Sequence, residues 1–156
     1  MTCVSLVQQY LARIAAYDKN GPALNAIVTV NPEAEREARA LDERFAQSGL
    51  TGSLHCVPLI VKDNFETRGL ASTNGALVLR DYVPAQDAFQ VRRLREAGAI
   101  VLAKSSMAEW AFSPYETVNS VLPGYTRNPY SPDRVTAGSS GGTAAAVAAN
   151  FGLAGL

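Results

Sequence analysis

The 156-residue chain is poor in the side chains that most often do chemistry, with one histidine, His55, and two cysteines, Cys3 and Cys56. A single histidine leaves almost nothing for a Ser-His-Asp catalytic system. Two cysteines are too few for a disulfide scaffold and have no metal-ligand spacing, so we expect them to be reduced. His55 and Cys56 are adjacent, and adjacent strand positions face opposite ways, which excludes a Cys-His couple between them.

Neither sign of charge predominates, because 14 lysines and arginines balance 14 aspartates and glutamates. These totals imply no basic face and argue against nucleic acid as the main partner. No apolar run reaches the roughly 18 residues that a membrane span needs. The first residues lack the basic and apolar segments of a signal peptide. We therefore expect one cytoplasmic domain, with a core drawn from the 47% of residues that are apolar.

Apolar side chains recur at helical or strand spacing along most of the chain. Short apolar runs predict strands, and spacings of three and four residues predict helices. The predicted strands cover about 26–30, 57–61 and 99–103, and the predicted helices about 4–17, 31–49, 88–97, 108–112 and 144–149. Two of the strands are nearly all apolar, which is typical of burial on both faces. The alternation favours an α/β fold with a mostly parallel sheet.

The same patterning makes predictions about helix ends and faces. Asn31 is the expected N-cap of the second helix, and Asp87 is that of the helix over 88–97. Phe45 lies on the predicted apolar face of the second helix, and Glu35 and Arg39 should pair on its wet side.

Residues 136–143 read Thr-Ala-Gly-Ser-Ser-Gly-Gly-Thr and lead directly into an alanine-rich helix. Ser139 and Ser140 therefore lie at a helix N-terminus, which suits a catalytic serine or the capture of an anion. The alternatives to a functional serine are that the two residues cap the helix, belong to a flexible linker, or form a loop whose backbone N–H groups bind a phosphate. The immediate helix disfavours a linker, and neither a Walker lysine nor a Gly-x-Gly-x-x-Gly motif accompanies the loop. The local sequence leaves the functional serine and the cap equally open.

Lys62 follows five apolar residues, so its ammonium should be at least partly desolvated. Desolvation lowers the pKa of a lysine, and a neutral lysine can act as a general base. The alternative is a lysine that extends from a strand end toward water. Asp63 is the obvious ion partner, but adjacent strand residues face opposite sides of a sheet, which favours their separation.

Four segments, taken together and in order, resemble the amidase signature family. They are Val-Pro-Leu-Ile-Val-Lys-Asp-Asn (57–64), Ala-Lys-Ser-Ser-Met-Ala-Glu-Trp (103–110), Thr-Arg-Asn-Pro-Tyr (126–130) and Ala-Gly-Ser-Ser-Gly-Gly-Thr-Ala-Ala-Ala-Val-Ala-Ala (137–149). The resemblance extends over essentially the whole chain. It implies that residues 1–156 are the N-terminal part of the amidase-signature fold, a partial domain with no second domain. That fold has a central mixed, largely parallel sheet flanked by helices.

The resemblance also implies a catalytic Ser–Ser–Lys triad. Lys62 matches the catalytic lysine of the family, and Ser139 matches the bridging serine, which follows a cis peptide bond, here Gly138–Ser139. In the family the acyl-forming serine lies in a Gly-Thr-Asp-x-Gly-Gly-Ser segment that also supplies the oxyanion hole. That segment would fall about two dozen residues after Ser139, just beyond Leu156. We therefore expect a fragment of an amidase that cleaves carboxamides through an acyl-enzyme, inactive alone.

Two other functions stay open. The family includes the catalytic subunit of a glutamine-dependent tRNA amidotransferase, in which other subunits could bind the RNA. The Gly138–Gly142 loop could instead belong to a non-catalytic module that binds an anion. We expect a small amide substrate, no metal or organic cofactor, no direct nucleic-acid or membrane partner, and either a homodimer or amidotransferase subunits. The candidate substrate contacts are Trp110, Ser113 and Ser140, with Met107 and Phe112 as further pocket residues. For Met107, Trp110 and Phe112, the spacing alone favours the alternative of helical core packing.

Overall fold

The computed structural model describes residues 1–115, 117–120 and 122–156. Within those residues the helices are α1 (Cys3–Tyr17), α2 (Ala34–Ser48), α3 (Phe89–Glu96) and α4 (Gly141–Ala148). The strands are β1 (Ile27–Val30), β2 (Pro58–Lys62), β3 (Ile100–Ser105), β4 (Asn119–Ser120), β5 (Gly124–Tyr125) and β6 (Ala154–Gly155). The predicted helix over 108–112 is a short 3₁₀ turn, Glu109–Ala111. None of the described helices combines the length and apolarity that crossing a membrane requires.

Four strands form one mixed sheet in the order β1-β3-β2-β6. Strand β2 pairs in parallel with both β3 and β6, whereas β1 runs antiparallel to β3. The predicted α/β class and its largely parallel sheet are therefore confirmed. A separate two-stranded ribbon joins β4 and β5, and the sequence analysis did not predict it.

Helices cover both faces of the sheet, because alternate strand residues point to opposite sides. Ile60 packs with apolar residues of α1, α2 and α4 on one face. Val61 and Val101 pack with Val91 of α3 on the other. The β2–β3 register shifts after Leu59 pairs with Val101, so that Ile60 pairs with Ala103. This irregularity adds one residue to β3 and changes which side the end of that strand faces.

Two predicted helix caps are wrong, because Glu33 and Ala88 occupy the N-cap positions of α2 and α3. The side chain of Asn31 still accepts from the backbone N–H of Glu33 at 2.9 Å, just before α2 begins. Asn31 is buried, and its amide donates to the carbonyl of Val101 at 2.8 Å, while Glu33 occupies the N-cap of α2. Asp87 accepts from the backbone N–H of Arg68 at 2.8 Å, and Ala88 is the N-cap of α3.

The solvent-exposed face of α2 agrees with the prediction, whereas its apolar face differs at one residue. Glu35 and Arg39 form the expected ion pair, with 3.7 Å between their charged atoms. The spacing predicts Phe45 on the apolar face of α2, but 52% of it is exposed. Its ring lies 5.5 Å from that of His55 instead of entering the core.

The two cysteines also differ from expectation. Cys3 begins α1 and Cys56 lies just before β2, and the two form a disulfide with 5.2 Å between their Cα atoms. Their separation of 53 residues gives no local signal of this pairing. It results from the packing of the start of α1 beside the turn that leads into β2, so the expectation of reduced cysteines is wrong.

Candidate active site

Lys62 is the last residue of β2, a strand whose five residues are all buried. Only 7% of Lys62 is exposed. This burial lowers the pKa of its ammonium below the ordinary value of 10.5, because water no longer stabilises the charge fully. The backbone N–H of Lys62 donates to the carbonyl of Leu156 at 3.1 Å, which fixes the strand end.

The loop before α4 lies against the segment that follows β3. The Gly138–Ser139 peptide bond is cis. The carbonyl of Ser139 accepts from the backbone N–H of Ala108 at 3.2 Å. A Cβ atom on Gly142 would overlap the backbone of Ser106, so only glycine lets α4 begin this close to it.

The side chain of Lys62 joins the strand end to this loop. Its Nζ lies 2.7 Å from Ser139 Oγ and 2.9 Å from Ser140 Oγ, and it donates a hydrogen bond to each. In its neutral form the same nitrogen has a lone pair that can accept a proton from a serine hydroxyl. The arrangement can therefore take up and return a proton without histidine.

The geometry bears on the alternatives that the sequence left open. Ser140 occupies the N-cap position of α4, but its side chain makes no capping hydrogen bond. Its hydroxyl is directed to Lys62 instead. Lys62 is not a lysine that extends to water, because the residue is 7% exposed and its amine contacts the hydroxyls of Ser139 and Ser140.

Asp63 lies on the opposite side of the sheet from Lys62, as strand alternation predicts. Its Oδ1 is 3.3 Å from Lys104 Nζ, a fully buried ion-pair contact without hydrogen-bond geometry. Its Oδ2 accepts from the N–H and hydroxyl of Thr73. Lys104 also donates to Ser72 Oγ at 2.8 Å and to the carbonyl of Phe65 at 2.9 Å. Asp63 is thus paired elsewhere and does not hold the charge on Lys62.

Thr143 is a supporting residue that the sequence analysis missed. Its hydroxyl donates to the carbonyl of Leu156 at 3.0 Å, and it lies 2.6 Å from Ser105 Oγ. One hydroxyl proton cannot serve both bonds, so Ser105 donates to Thr143. These contacts connect α4 with the ends of β3 and β6 beside the loop, and no residue pattern could have revealed them.

The candidate substrate contacts differ in accessibility. Trp110 is 56% exposed with a left-handed φ of 54°, and Phe112 is 74% exposed. Both are open to a ligand. Met107 is fully buried and cannot line an open pocket. The hydroxyl of Ser113 already accepts from the backbone N–H of Thr117 at 2.9 Å.

Comparison with protein families and curated proteins shows which known proteins the sequence of this chain is similar to. The family model described as Amidase matches residues 5–156. The chain is similar to a glutamyl-tRNA(Gln) amidotransferase subunit of Acidothermus cellulolyticus, with 43% identity over 92% of this chain and 28% of that protein. It is also similar to the indoleacetamide hydrolase of Bradyrhizobium diazoefficiens, with 38% identity over 97% of this chain and 28% of that protein.

Solved structures agree with these sequence relatives. The native peptide amidase of Stenotrophomonas maltophilia superposes with a TM-score of 0.91 and 42% identity, covering 97% of this chain and 32% of that one. An amidase family protein of Bacillus anthracis gives the same TM-score at 39% identity, covering 97% of this chain and 31% of that one. The chain thus spans about a third or less of the length of these relatives.

Proposed function

The chain belongs to the Amidase family, and from that premise we propose that the protein containing it hydrolyses a carboxamide C–N bond through an acyl-enzyme. The observation that carries this proposal is the contact of 2.7 Å between Lys62 Nζ and Ser139 Oγ. Relatives named indoleacetamide hydrolase and peptide amidase support an amide as the substrate class.

In the proposed mechanism, Lys62 is the general base and Ser139 is the bridging serine. Neutral Lys62 takes the proton of Ser139, and Ser139 takes the proton of a nucleophilic serine as that serine attacks the amide carbonyl. The proton then returns along the same path to the leaving nitrogen. Water hydrolyses the acyl-enzyme by the same relay. Ser140, also bonded to Lys62, would orient its amine.

The nucleophilic serine is proposed to come from a Gly-Thr-Asp-x-Gly-Gly-Ser segment. No such segment occurs in the 156 residues. We therefore propose that these residues form a partial domain and do not hydrolyse amides by themselves. The relay would depend on pH, because the pKa of Lys62 is lowered by burial. Below that pKa Lys62 is protonated and cannot act as a base, so activity would rise with pH through it.

The second candidate function is that of an amidotransferase component. The similarity to the glutamyl-tRNA(Gln) amidotransferase subunit, at 43% identity, favours it. The balanced charge totals of the chain imply no basic surface for RNA, so in this proposal RNA contacts other subunits. Affinity purification of the full-length protein separates the two functions. Stoichiometric partner proteins and glutamine-dependent ammonia transfer would identify the amidotransferase, whereas hydrolysis without partners would identify the free amidase.

The test of catalysis uses full-length protein and a panel of carboxamides that includes indoleacetamide and peptide amides. We expect hydrolysis by the natural protein and its loss in Lys62→Ala. Arg39→Ala is the matched control, because it removes an exposed cation from α2 that makes no contact with Lys62 or Ser139 in the described residues. Stabilisation by sulfate or phosphate, with Lys62 dispensable and no amide hydrolysed, would instead support the anion-binding module.

A further inference from the structure

Cys3, His55 and Cys56 form a cluster outside the candidate active site. Their sulfur and imidazole nitrogen atoms lie within 4.8 Å of one another. Cys3 and Cys56 are joined as a disulfide, and His55 Nε2 is 3.7 Å from Cys3 Sγ. The proposed amidase chemistry uses none of these three residues.

The hydrogen bonds of His55 determine which of its nitrogens carries the proton. The backbone N–H of Thr51 lies 3.3 Å from Nδ1 and can only donate, so Nδ1 accepts. In the neutral ring the proton is then on Nε2. Nε2–H is directed at the sulfur of Cys3, where it can stabilise negative charge.

The two sulfurs differ in their surroundings. Cys3 is only 2% exposed, whereas Cys56 is partly exposed at the edge of the core. The carboxylate of Asp42 accepts from the backbone N–H groups of Cys3 and Val4 at 2.7 and 3.1 Å. The carboxylate of Asp42 therefore lies at the start of α1, where its negative charge disfavours a thiolate on Cys3. The hydrogen bond from His55 to the Cys3 sulfur offsets this repulsion.

We propose that the Cys3–Cys56 disulfide is a thiol-exchange site for small thiols such as glutathione, with Cys56 as the sulfur attacked. An external thiolate bonds to Cys56 Sγ, the disulfide bond breaks, and its electron pair goes to Cys3 Sγ. Nε2–H of His55 stabilises that thiolate until it takes a proton from water. A second thiolate attacks the external sulfur of the mixed disulfide and releases Cys56. In sum, the disulfide and two thiols become two cysteine thiols and one small disulfide.

A metal ion is the other ligand that two sulfurs and an imidazole suggest, with zinc the usual choice. The tautomer argues against it, because a protonated Nε2 has no lone pair for a metal. Binding through Nε2 would require the proton to move to Nδ1 and the bond from Thr51 to be lost. The site therefore fits sulfur exchange better than metal coordination.

The test treats oxidised full-length protein with glutathione, stops the reaction with acid and maps adducts by mass spectrometry. We expect a transient glutathione adduct on Cys56. An adduct on Cys3, or a disulfide that glutathione leaves intact in the folded protein, would overturn the proposal. Because this measurement needs no variant, it stands even where a substitution prevents folding.

Variants test the assigned roles. With oxidised glutathione, Cys3→Ser, which keeps Cys56, should form the adduct about tenfold faster than Cys56→Ser. His55→Gln should slow reduction of the disulfide about tenfold. Phe45→Leu is the control, since it removes the neighbouring ring but keeps the imidazole, and should change the rate less than about twofold. Equal rates in the two cysteine variants would contradict the proposal, as would an unchanged rate in His55→Gln.

A last arm offers Zn²⁺ alone to the reduced full-length protein. We expect no stoichiometric uptake. One Zn²⁺ bound per chain, and lost in His55→Gln, would overturn the proposal and identify a metal site.

Discussion

Lys62 and Lys104 lie near the ends of two neighbouring parallel strands, and both are buried, yet their surroundings differ. Lys62 contacts two serine hydroxyls. Lys104 contacts a serine hydroxyl, a carbonyl and the carboxylate of Asp63. Burial lowers the pKa of both, but for Lys104 the negative charge of Asp63 acts against burial. Buried Lys62 has no carboxylate beside it and can lose its proton easily. Lys104 is paired with Asp63, and this ion pair joins the ends of β2 and β3.

The β2–β3 register produces this difference. Val61 pairs with Lys104 and Lys62 pairs with Ser105, so Lys104 shares a face with Val61 and not with Lys62. Without the extra residue in β3, the alternation would bring Lys104 to the face of Lys62 and leave Asp63 alone on the other. One irregular position thus sorts the two lysines to opposite faces.

The largest expected effect distinguishes the two lysines by activity. Lys62→Ala in the full-length protein should lower kcat/KM by about 10³–10⁴-fold, because the general base is lost. Its free energy of unfolding should change by no more than about 1 kcal/mol, since no buried carboxylate loses a partner. Steady-state kinetics and denaturant titration measure the two quantities. A folded Lys62→Ala protein with full activity would contradict the assignment.

Lys104→Met should have the opposite profile. It leaves the carboxylate of Asp63 buried without its cation, so the free energy of unfolding should fall by about 3–5 kcal/mol. Adding Asp63→Asn removes the uncompensated charge and should recover at least half of that loss. Urea titrations of the single and double variants provide the comparison. If the double variant recovered nothing, the ion pair would not be the source of the loss.

Substitutions of the two serines that are hydrogen-bonded to Lys62 should differ in their effect on activity. Ser139→Ala should reduce kcat/KM by about 10²–10⁴-fold, because it breaks the proton path. Ser140→Ala should cost about tenfold, because it removes only a contact that orients the amine. Kinetics of both variants on one carboxamide make this comparison. A larger loss of kcat/KM in Ser140→Ala than in Ser139→Ala would contradict this assignment and identify Ser140 as the bridging serine.

The smallest expected effect is on stability as pH changes. The folded-state pKa of Lys62 lies below the ordinary 10.5, so between the two values the unfolded chain binds more protons. The free energy of unfolding should therefore rise with pH across that window. Below the window Lys62 is charged in the folded protein, and the full penalty for burying that charge is present. Lys62→Met should lack this contribution, as unfolding curves at several pH values would reveal. An identical pH slope in both proteins would mean that burial does not perturb Lys62.

The sequence was sufficient where a feature depends on local pattern. The apolar runs located β2 and β3, and the loop at Ser139 and the residues around Lys62 identified the family. That Lys62 and Asp63 separate followed from strand alternation alone. These features depend on a few neighbouring residues, and such spacings can be read directly.

Features that depend on contacts between distant segments could not be read. The partner of Asp63 is 41 positions away in the sequence, and its identity depends on the irregular register of β3. Asn31 and Asp87 have the residue types of helix caps, but each side chain binds the backbone of a segment distant in the sequence, Asn31 at Val101 and Asp87 at Arg68. The Cys3–Cys56 disulfide likewise requires α1 to be packed before the two sulfurs meet.

The most direct test of the central claim is an NMR titration of the lysine side chains in the full-length protein. The Lys62 signal is assigned by its absence from the Lys62→Met variant. The account predicts that Lys62 titrates below the ordinary 10.5 and that Ser139→Ala shifts its signal, because the two side chains are in contact. Titration of Lys62 at 10.5, with no response to Ser139→Ala, would contradict it.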